Sequence, residues 1–241
     1  WEFQYNDGRV ISNFIVQALN KLPSSKLIFS SSCTVYGQSE KLPIKEDMPL
    51  KEAESPYGNT KIIGEQIIKH NCKANNNFNA ISLRYFNPIG AHFTANIGEL
   101  PIGIPQNLVP FITQTAIGVR DKLSVFGNNY PTQDGTCIRD YIHVSDIADI
   151  HDMCVDYLNK NFKSNTFNCG YEKGYSVLEI SKIFKKLKNN TIIKFGKRRP
   201  GDVGQVFANS SKFKKIFKWK PKYNDIKKIL NSSIKWEKKL N

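Results

Sequence analysis

The stretch Leu27-Ile28-Phe29-Ser30-Ser31-Ser32-Cys33-Thr34-Val35-Tyr36-Gly37 sets the architecture. Its three leading apolar residues read as a short buried strand, with three serines placed where that strand ends. Upstream, Val10, Ile11, Phe14, Ile15, Ala18 and Leu19 recur at helical spacing along one face. Downstream, turn residues Gly37, Pro43, Pro49 and Pro56 give way at Tyr57 to a helix pattern that runs to Asn75, striped by Ile62, Ile63, Ile67 and Ile68. Asn79 to Tyr85 reads as the next strand. Helix, strand, helix, strand with connections of this length predicts parallel β-α-β winding and an α/β class.

Farther along, helices are expected near 107–118, 145–160 and 176–188. The last of these opens with Ser176 and has Glu179 three residues on, the capping-box spacing. Short strands are expected near 123–126, 136–142, 166–169 and 191–195. One expected element is missing. The 15 glycines contain no G-x-G-x-x-G, the turn by which a doubly wound domain brings its backbone against a pyrophosphate at a helix N-terminus.

Composition narrows the function classes. The 241 residues hold 35 Lys+Arg and 21 Asp+Glu, a formal charge of +14. Residues 182–241 alone carry 19 of the cations and 3 of the anions, so the last quarter stands at +16 and the rest at −2. At 40% hydrophobic, the chain can bury a core, and wholesale disorder is excluded. The cations of the last quarter alternate with apolar residues at structured spacing, which reads as a lysine-coated folded surface rather than a nucleic-acid-binding tail. No apolar run approaches the roughly 18–20 residues of a membrane span. Five cysteines without a C-x-x-C pair, and four histidines without zinc-ligand spacing, point away from a disulfide framework or a metal site and toward a cytoplasmic setting.

The chemistry begins at Tyr57 and Lys61, four apart at a helix start and therefore on one face. A nearby ammonium stabilises phenolate, so the pair is expected to lower the tyrosine pKa and make it a base for an alcohol proton. The serine cluster at a strand's C-terminal end lies where open α/β sheets place ligands.

Six segments together carry a resemblance: SSSCTVYG at 30–37, SPYGNTK at 55–61, RYFNPIGAH at 84–92, GIPQNLVPFI at 103–112, VFGNNYPTQDGTCIRDYIHVSD at 125–146 and RRPGD at 198–202. In order and spacing they resemble the UDP-glucose 4-epimerase family within the extended short-chain dehydrogenase/reductases. The resemblance implies a partial doubly wound, Rossmann-type parallel sheet with a smaller mixed C-terminal substrate domain. Residues 1–88, with 137–170 returning, would form the first; 89–136 and 171–241 would form the second. It implies NAD as cofactor, a UDP-sugar as substrate, no metal, and a homodimer through the helices near 9–22 and 57–74. Tyr57 would be the catalytic base, Lys61 would bind the nicotinamide ribose, and Ser32 would bond the sugar hydroxyl with Thr34 beside it. Ser30 and Tyr85 would contact the cofactor. Asn87 and Asn107 would hold the UDP-sugar, and Leu123, Ser124 and Phe126 would pack around the uracil. Arg139 and Arg199 would grip the diphosphate, and Asp202 a ribose hydroxyl. Val206 stands where some members place a bulky tyrosine over the sugar, which implies room for an N-acetyl group.

Simpler readings stand beside these. Asn107 alone reads as a helix cap, Ser32 as one of three serines satisfying backbone, Arg139-Asp140 as a local ion pair, and His92 and His143 as structural. A nucleotide-sugar dehydratase would carry Asp-Glu after the threonine of the serine segment, where Val35-Tyr36 stands instead. A cofactor-free protein that only binds UDP-sugar or a partner is the alternative outside enzymes. Members of the resembling family carry about three β-α units ahead of the region matching Trp1. The expectation is therefore a partial sequence of a longer enzyme, and no activity if the 241 residues are the whole.

Overall fold

A computed structural model describes residues 26–161, 163–187, 192–199 and 201–240. The helix expected over Val10–Leu19 lies outside these residues. In chain order the elements are β1 (Lys26–Ser32), α1 (Pro56–Ala74), β2 (Asn79–Tyr85), β3 (Asn87–Ile89), α2 (Leu108–Ala116), β4 (Leu123–Phe126), β5 (Ile138–His143) and α3 (Val144–Asn161). Then follow β6 (Asn165–Cys169), β7 (Gly174–Ser176), α4 (Val177–Leu187), β8 (Ile193–Gly196), β9 (Gln205–Val206), α5 (Ser211–Phe217) and α6 (Ile226–Leu240). Two compact units share them. The first takes the described residues up to Phe86 with Asp149–Cys169 and Asn209–Trp219; the second takes Asn87–Ala148, Gly170–Ala208 and the described residues from Lys220. The backbone thus passes from one to the other five times. Residues 138–148 fall in the second unit and Asn209–Trp219 in the first, unlike the division read from the sequence.

In the first unit, β1, β2 and β6 form a parallel sheet in the order β1-β2-β6. Helix α1 starts where Ser55 Oγ accepts from the Gly58 N–H at 3.1 Å and Pro56 fills the first helical position. The helix meets the sheet at Gly64, where a Cβ would fall 2.5 Å from Phe29 Cζ. Only a hydrogen fits between them. Gly64→Ala is accordingly expected to destabilise the chain by about 1–3 kcal/mol by overpacking, read as a drop in Tm, while Gly196→Ala, whose added carbon meets Phe126 no closer than 3.5 Å, serves as the control for added volume. Ile68, Phe78 and Ala80 pack there with Leu27, Phe29 and Ile67. Elsewhere in the unit, Phe167 meets Phe213 edge-on at 5.3 Å, and Phe213 meets Trp219 edge-on at 5.7 Å. Phe213 and Trp219 are buried there, and Phe217 is half-buried, stacked on Phe213 at 4.3 Å.

The second unit holds the sheet β3-β5-β7 with β9 on β5, and a separate parallel pair β4-β8. Its core joins Ile112, Leu123, Tyr141, Phe184 and Leu230. At α4 the capping box forms reciprocally: the Ser176 N–H donates to Glu179 Oε2 at 2.7 Å, and the Glu179 N–H to Ser176 Oγ at 2.9 Å. Along α6, Ile226, Ile229, Leu230 and Ile234 face the core while Lys227, Lys228, Lys235, Lys238 and Lys239 are exposed. The basic last quarter is folded surface here.

Two fully buried carboxylates fasten the second unit's returning strands. Asp140 accepts from the backbone N–H of Tyr171, Glu172 and Ala208 at 2.9, 3.0 and 3.1 Å. Asp146 accepts from Lys222 N at 3.0 Å, from Tyr223 N at 3.1 Å and from the Tyr171 hydroxyl. The residues following Cys169, preceding Asn209 and following Trp219 each rest on one of these two groups. Burial pushes the Asp140 carboxyl up to about 6 against the pull of its three N–H donors.

Candidate functional site

The expected catalytic residues come together in the first unit, at the C-terminal ends of β1 and β2, where Ser32 is level with Tyr85. Ser32 ends β1 and turns the chain into a single 3₁₀ turn, Cys33–Tyr36, its Oγ accepting from the Thr34 N–H at 3.3 Å. The same hydroxyl lies close enough to the Tyr57 phenol to lower its pKa. Tyr57 stays 43% exposed, unusual for a large aromatic side chain and in keeping with a group that meets a ligand. Lys61 sits one turn on, with Nζ 5.3 Å from the Tyr57 ring centroid and donating to the Ser30 carbonyl at 2.9 Å. Ser30 Oγ and Tyr85 OH are 2.9 Å apart, and Tyr85 OH lies 2.8 Å from His151 Nε2.

The electrostatics differ from the expectation in one respect. Burial raises the Tyr57 phenol above its ordinary value, and the nearby Ser32 hydroxyl, rather than Lys61, is what pulls it down. Lys61 lies over the face of the ring and commits its ammonium to a backbone carbonyl, so its charge is not brought to bear on the phenol oxygen. Its own pKa is lowered by burial. Burial likewise pushes Tyr85 up to about 12.

The expected substrate residues gather in the second unit. Asp202 accepts from Arg199 Nε at 3.0 Å and lies 3.8 Å from Arg139 Nη2. The Arg199 guanidinium stands 5.1 Å from the Phe126 ring centroid, and Val206 pairs with Arg139 across β9 and β5. Asn87 pairs with Tyr141 on β3, two residues along from Arg139 on the neighbouring strand. Its Oδ1 is buried with no hydrogen-bond partner among the described residues, an acceptor that a ligand donor would satisfy. Two cations, one carboxylate and an exposed aromatic edge form a donor-rich anion site of the kind a diphosphate and a flat base require.

Three expectations need correction. The Leu123 side chain is fully buried in the core with Ile112 and Phe184, so it does not pack on a base; Ser124 and Phe126, following on β4, remain accessible. Asn107 occupies the N-cap of α2 without making a capping bond; its Nδ2 donates to Glu99 Oε1 at 2.7 Å. Arg139 pairs with Asp202 rather than with the adjacent Asp140. His143 is structural, stacked on Tyr223 at 4.9 Å and accepting the Ser145 N–H at 3.0 Å. Sequence reasoning missed His151 and Glu65, both bonded into the first group of residues; Glu65 was signalled by its four-residue spacing from Lys61.

Comparison with known proteins converges. The GDP-mannose 4,6 dehydratase family model matches residues 13–231. A UDP-glucose 4-epimerase of Bacillus subtilis is 42% identical over 236 residues, covering 97% of this chain and 69% of the relative. A bifunctional UDP-glucose 4-epimerase and UDP-xylose 4-epimerase of Pisum sativum is 41% identical over 239 residues, covering 98% of this chain and 68% of the relative. The crystal structure of a UDP-glucose 4-epimerase from Bifidobacterium longum, in complex with NAD+ and UDP, superposes with a TM-score of 0.91 at 38% identity, covering 98% of this chain and 70% of that one.

Proposed function

The chain belongs to the UDP-glucose 4-epimerase family, and on that premise we propose that it interconverts UDP-glucose and UDP-galactose by inverting C4 through a 4-keto sugar, with NAD as its cofactor. The observation that carries this reading is the convergence of Tyr57, Ser32 and Lys61 at one sheet edge, with the phenol exposed.

The donors present fit the nicotinamide end of the cofactor. Lys61 Nζ, Ser30 Oγ and Tyr85 OH are the kind of groups that bond ribose hydroxyls and a carboxamide; Ser30 Oγ and Tyr85 OH are within hydrogen-bond distance of each other, and Lys61 Nζ donates to the backbone carbonyl of Ser30. NAD bound by these groups would supply the acceptor for the C4 hydride. Tyr57 takes the C4 hydroxyl proton and later returns it; Ser32 holds the phenol and steadies the charge it develops. Arg139 and Arg199, already partnered by Asp202, hold the diphosphate so that the sugar presents either face in turn. Elimination chemistry has no acid/base pair after Thr34, because Val35 and Tyr36 are buried and Tyr36 OH donates to Asn168 Oδ1 at 2.7 Å.

The test is direct. The purified protein is incubated with UDP-galactose and UDP-glucose is measured, while a denaturing extract is assayed for NAD. Formation of UDP-glucose supports the reading; UDP-sugar binding without turnover favours the non-catalytic alternative.

Substrate range belongs to the same proposal. Val206 is buried beside Arg139 and offers less bulk than an aromatic residue. Val206→Tyr is expected to lower kcat/KM for UDP-N-acetylglucosamine by at least about tenfold while changing that for UDP-glucose by less than about threefold. Equal losses on both sugars would remove Val206 from this role. No described helix is long and apolar enough to cross a membrane, and a cytoplasmic homodimer completes the reading.

A further inference from the structure

Helix α1 presents Tyr57, Lys61 and Glu65 at four-residue intervals, a single stripe two turns long. Each of the three meets a different one of three consecutive serines at the end of β1. Tyr57 has the Ser32 hydroxyl beside its phenol, Lys61 Nζ donates to the Ser30 carbonyl at 2.9 Å, and Ser31 Oγ donates to Glu65 Oε1 at 2.5 Å. The first two contacts belong to the reacting group. The third is buried, with Ser31 at 0% and Glu65 at 8% exposure, and touches nothing that reacts.

Glu65 is itself fixed. Arg84 on β2 donates Nε to Glu65 Oε1 at 2.9 Å and Nη2 to Oε2 at 2.6 Å, a bidentate fork. The remaining guanidinium nitrogen, Nη1, reaches Tyr36 OH at 2.7 Å, and that hydroxyl donates to Asn168 Oδ1 on β6 at 2.7 Å. The helix stripe is therefore tied to all three strands of the sheet through one carboxylate. A buried ion pair is weak evidence for stability, since apolar replacements of equal volume commonly do as well. Its directional bonds do what apolar packing does not: they fix the rotation and height of α1 against the strand end.

We propose that Glu65 and Ser31 are positioning residues, their hydrogen bond setting the Ser30–Ser32 strand end in register with the helix turns that carry Tyr57 and Lys61. The inference rests on the epimerase reading for its consequence in turnover, but its geometric content concerns only how the strand end is held against the helix, through Ser31 to Glu65 and through the Ser30 carbonyl to Lys61. Loss of the Ser31 hydroxyl loosens the strand end, moves the Ser32 hydroxyl away from Tyr57 and lets the phenol drift basic.

Ser31→Ala is the sharp test, because Glu65 keeps both Arg84 bonds and no buried charge is left unpaired. Two readouts are taken: the titration of Tyr57 by NMR of ring-labelled tyrosine, assigned with Tyr57→Phe, and kcat against KM for UDP-galactose. The expected result is a Tyr57 midpoint raised by about half a unit or more, with kcat down about 10–100-fold and KM within about twofold. Ser31→Thr, which keeps the hydroxyl, should restore both. Ile68→Val, a loss of core packing on the same helix, should lower Tm and move neither. If Ser31→Ala does not fold, Ser31→Cys, close in shape and a weak donor, is read in the same two ways. A folded variant lacking the hydroxyl donor whose Tyr57 midpoint and kcat both match wild type overturns the proposal. A wild-type protein without turnover would count against the epimerase reading, and the titration would still decide this one.

Discussion

Tyr57→Phe is expected to lower kcat for UDP-galactose by about 10³-fold, with KM changed by less than about threefold and Tm nearly unmoved. The substitution removes one oxygen from a half-exposed ring, beside the Ser32 hydroxyl. Its cost to folding is accordingly small, within about 0.5–1 kcal/mol. The ground-state grip on the nucleotide is assigned to Arg139, Arg199 and Asp202, none of which the phenol touches, so binding is expected to survive. What disappears is the group to which the proton exchange with the C4 hydroxyl is assigned. Steady-state kinetics with thermal melts decide the matter: a variant retaining a tenth of wild-type kcat would take the base role away from Tyr57.

The largest expected effect on stability is a pH dependence centred on Asp140. Its carboxyl is fully buried, and desolvation raises it to about 6 in the folded chain, above the ordinary carboxylate value it regains on unfolding. A group whose folded pKa is raised binds its proton more tightly when folded. Its contribution to stability is therefore fully present below the unfolded value, near pH 4, and is lost as pH rises through about 6. Between pH 7 and pH 4 the Asp140 contribution is expected to improve by about 3 kcal/mol. Other carboxylates titrate over the same range, so the quantity to measure is the difference between wild type and Asp140→Asn in urea unfolding. That difference should grow in favour of wild type from pH 7 to pH 4; a constant difference would mean that Asp140 titrates normally.

The sequence made the larger elements legible because each carried a periodic signal long enough to read. Helix α1, read from the isoleucine stripe of residues 62–68, and the Ser176-Glu179 box both appear in the structure, although of the four isoleucines only Ile68 is buried, the helix burying Gly58, Thr60, Gly64 and Glu65 beside it. Strands β3, β7 and β9 did not, being two or three residues long and held by partners distant in sequence. Helices α5 and α6 were recognisable only as structured surface, since lysine occupies most of their non-core positions. Within the site, identities were legible and environments were not. Nothing in a four-residue spacing tells that the Lys61 ammonium is given to the Ser30 carbonyl, nor that Leu123 turns inward while Phe126 stays exposed. Such facts depend on which neighbour arrives from elsewhere in the chain. Arg139 illustrates it: the adjacent Asp140 was the obvious partner, but that carboxylate is taken by three backbone N–H groups from residues 171, 172 and 208.

The five passages of the backbone between the two units bear on how the protein is made. Translation releases β1 and β2 early, but β6 comes some 80 residues later and the Phe213–Trp219 aromatic cluster later still. At about 5–20 residues per second, the ribosome takes roughly 4–16 s to go from Tyr85 to Asn165. For that interval β2 has no β6 to pair with, and the first segment of the second unit is made between two parts of the first. Neither unit can be produced by cutting the gene at one point, and the nascent chain has an open sheet edge to shelter until β6 is synthesised.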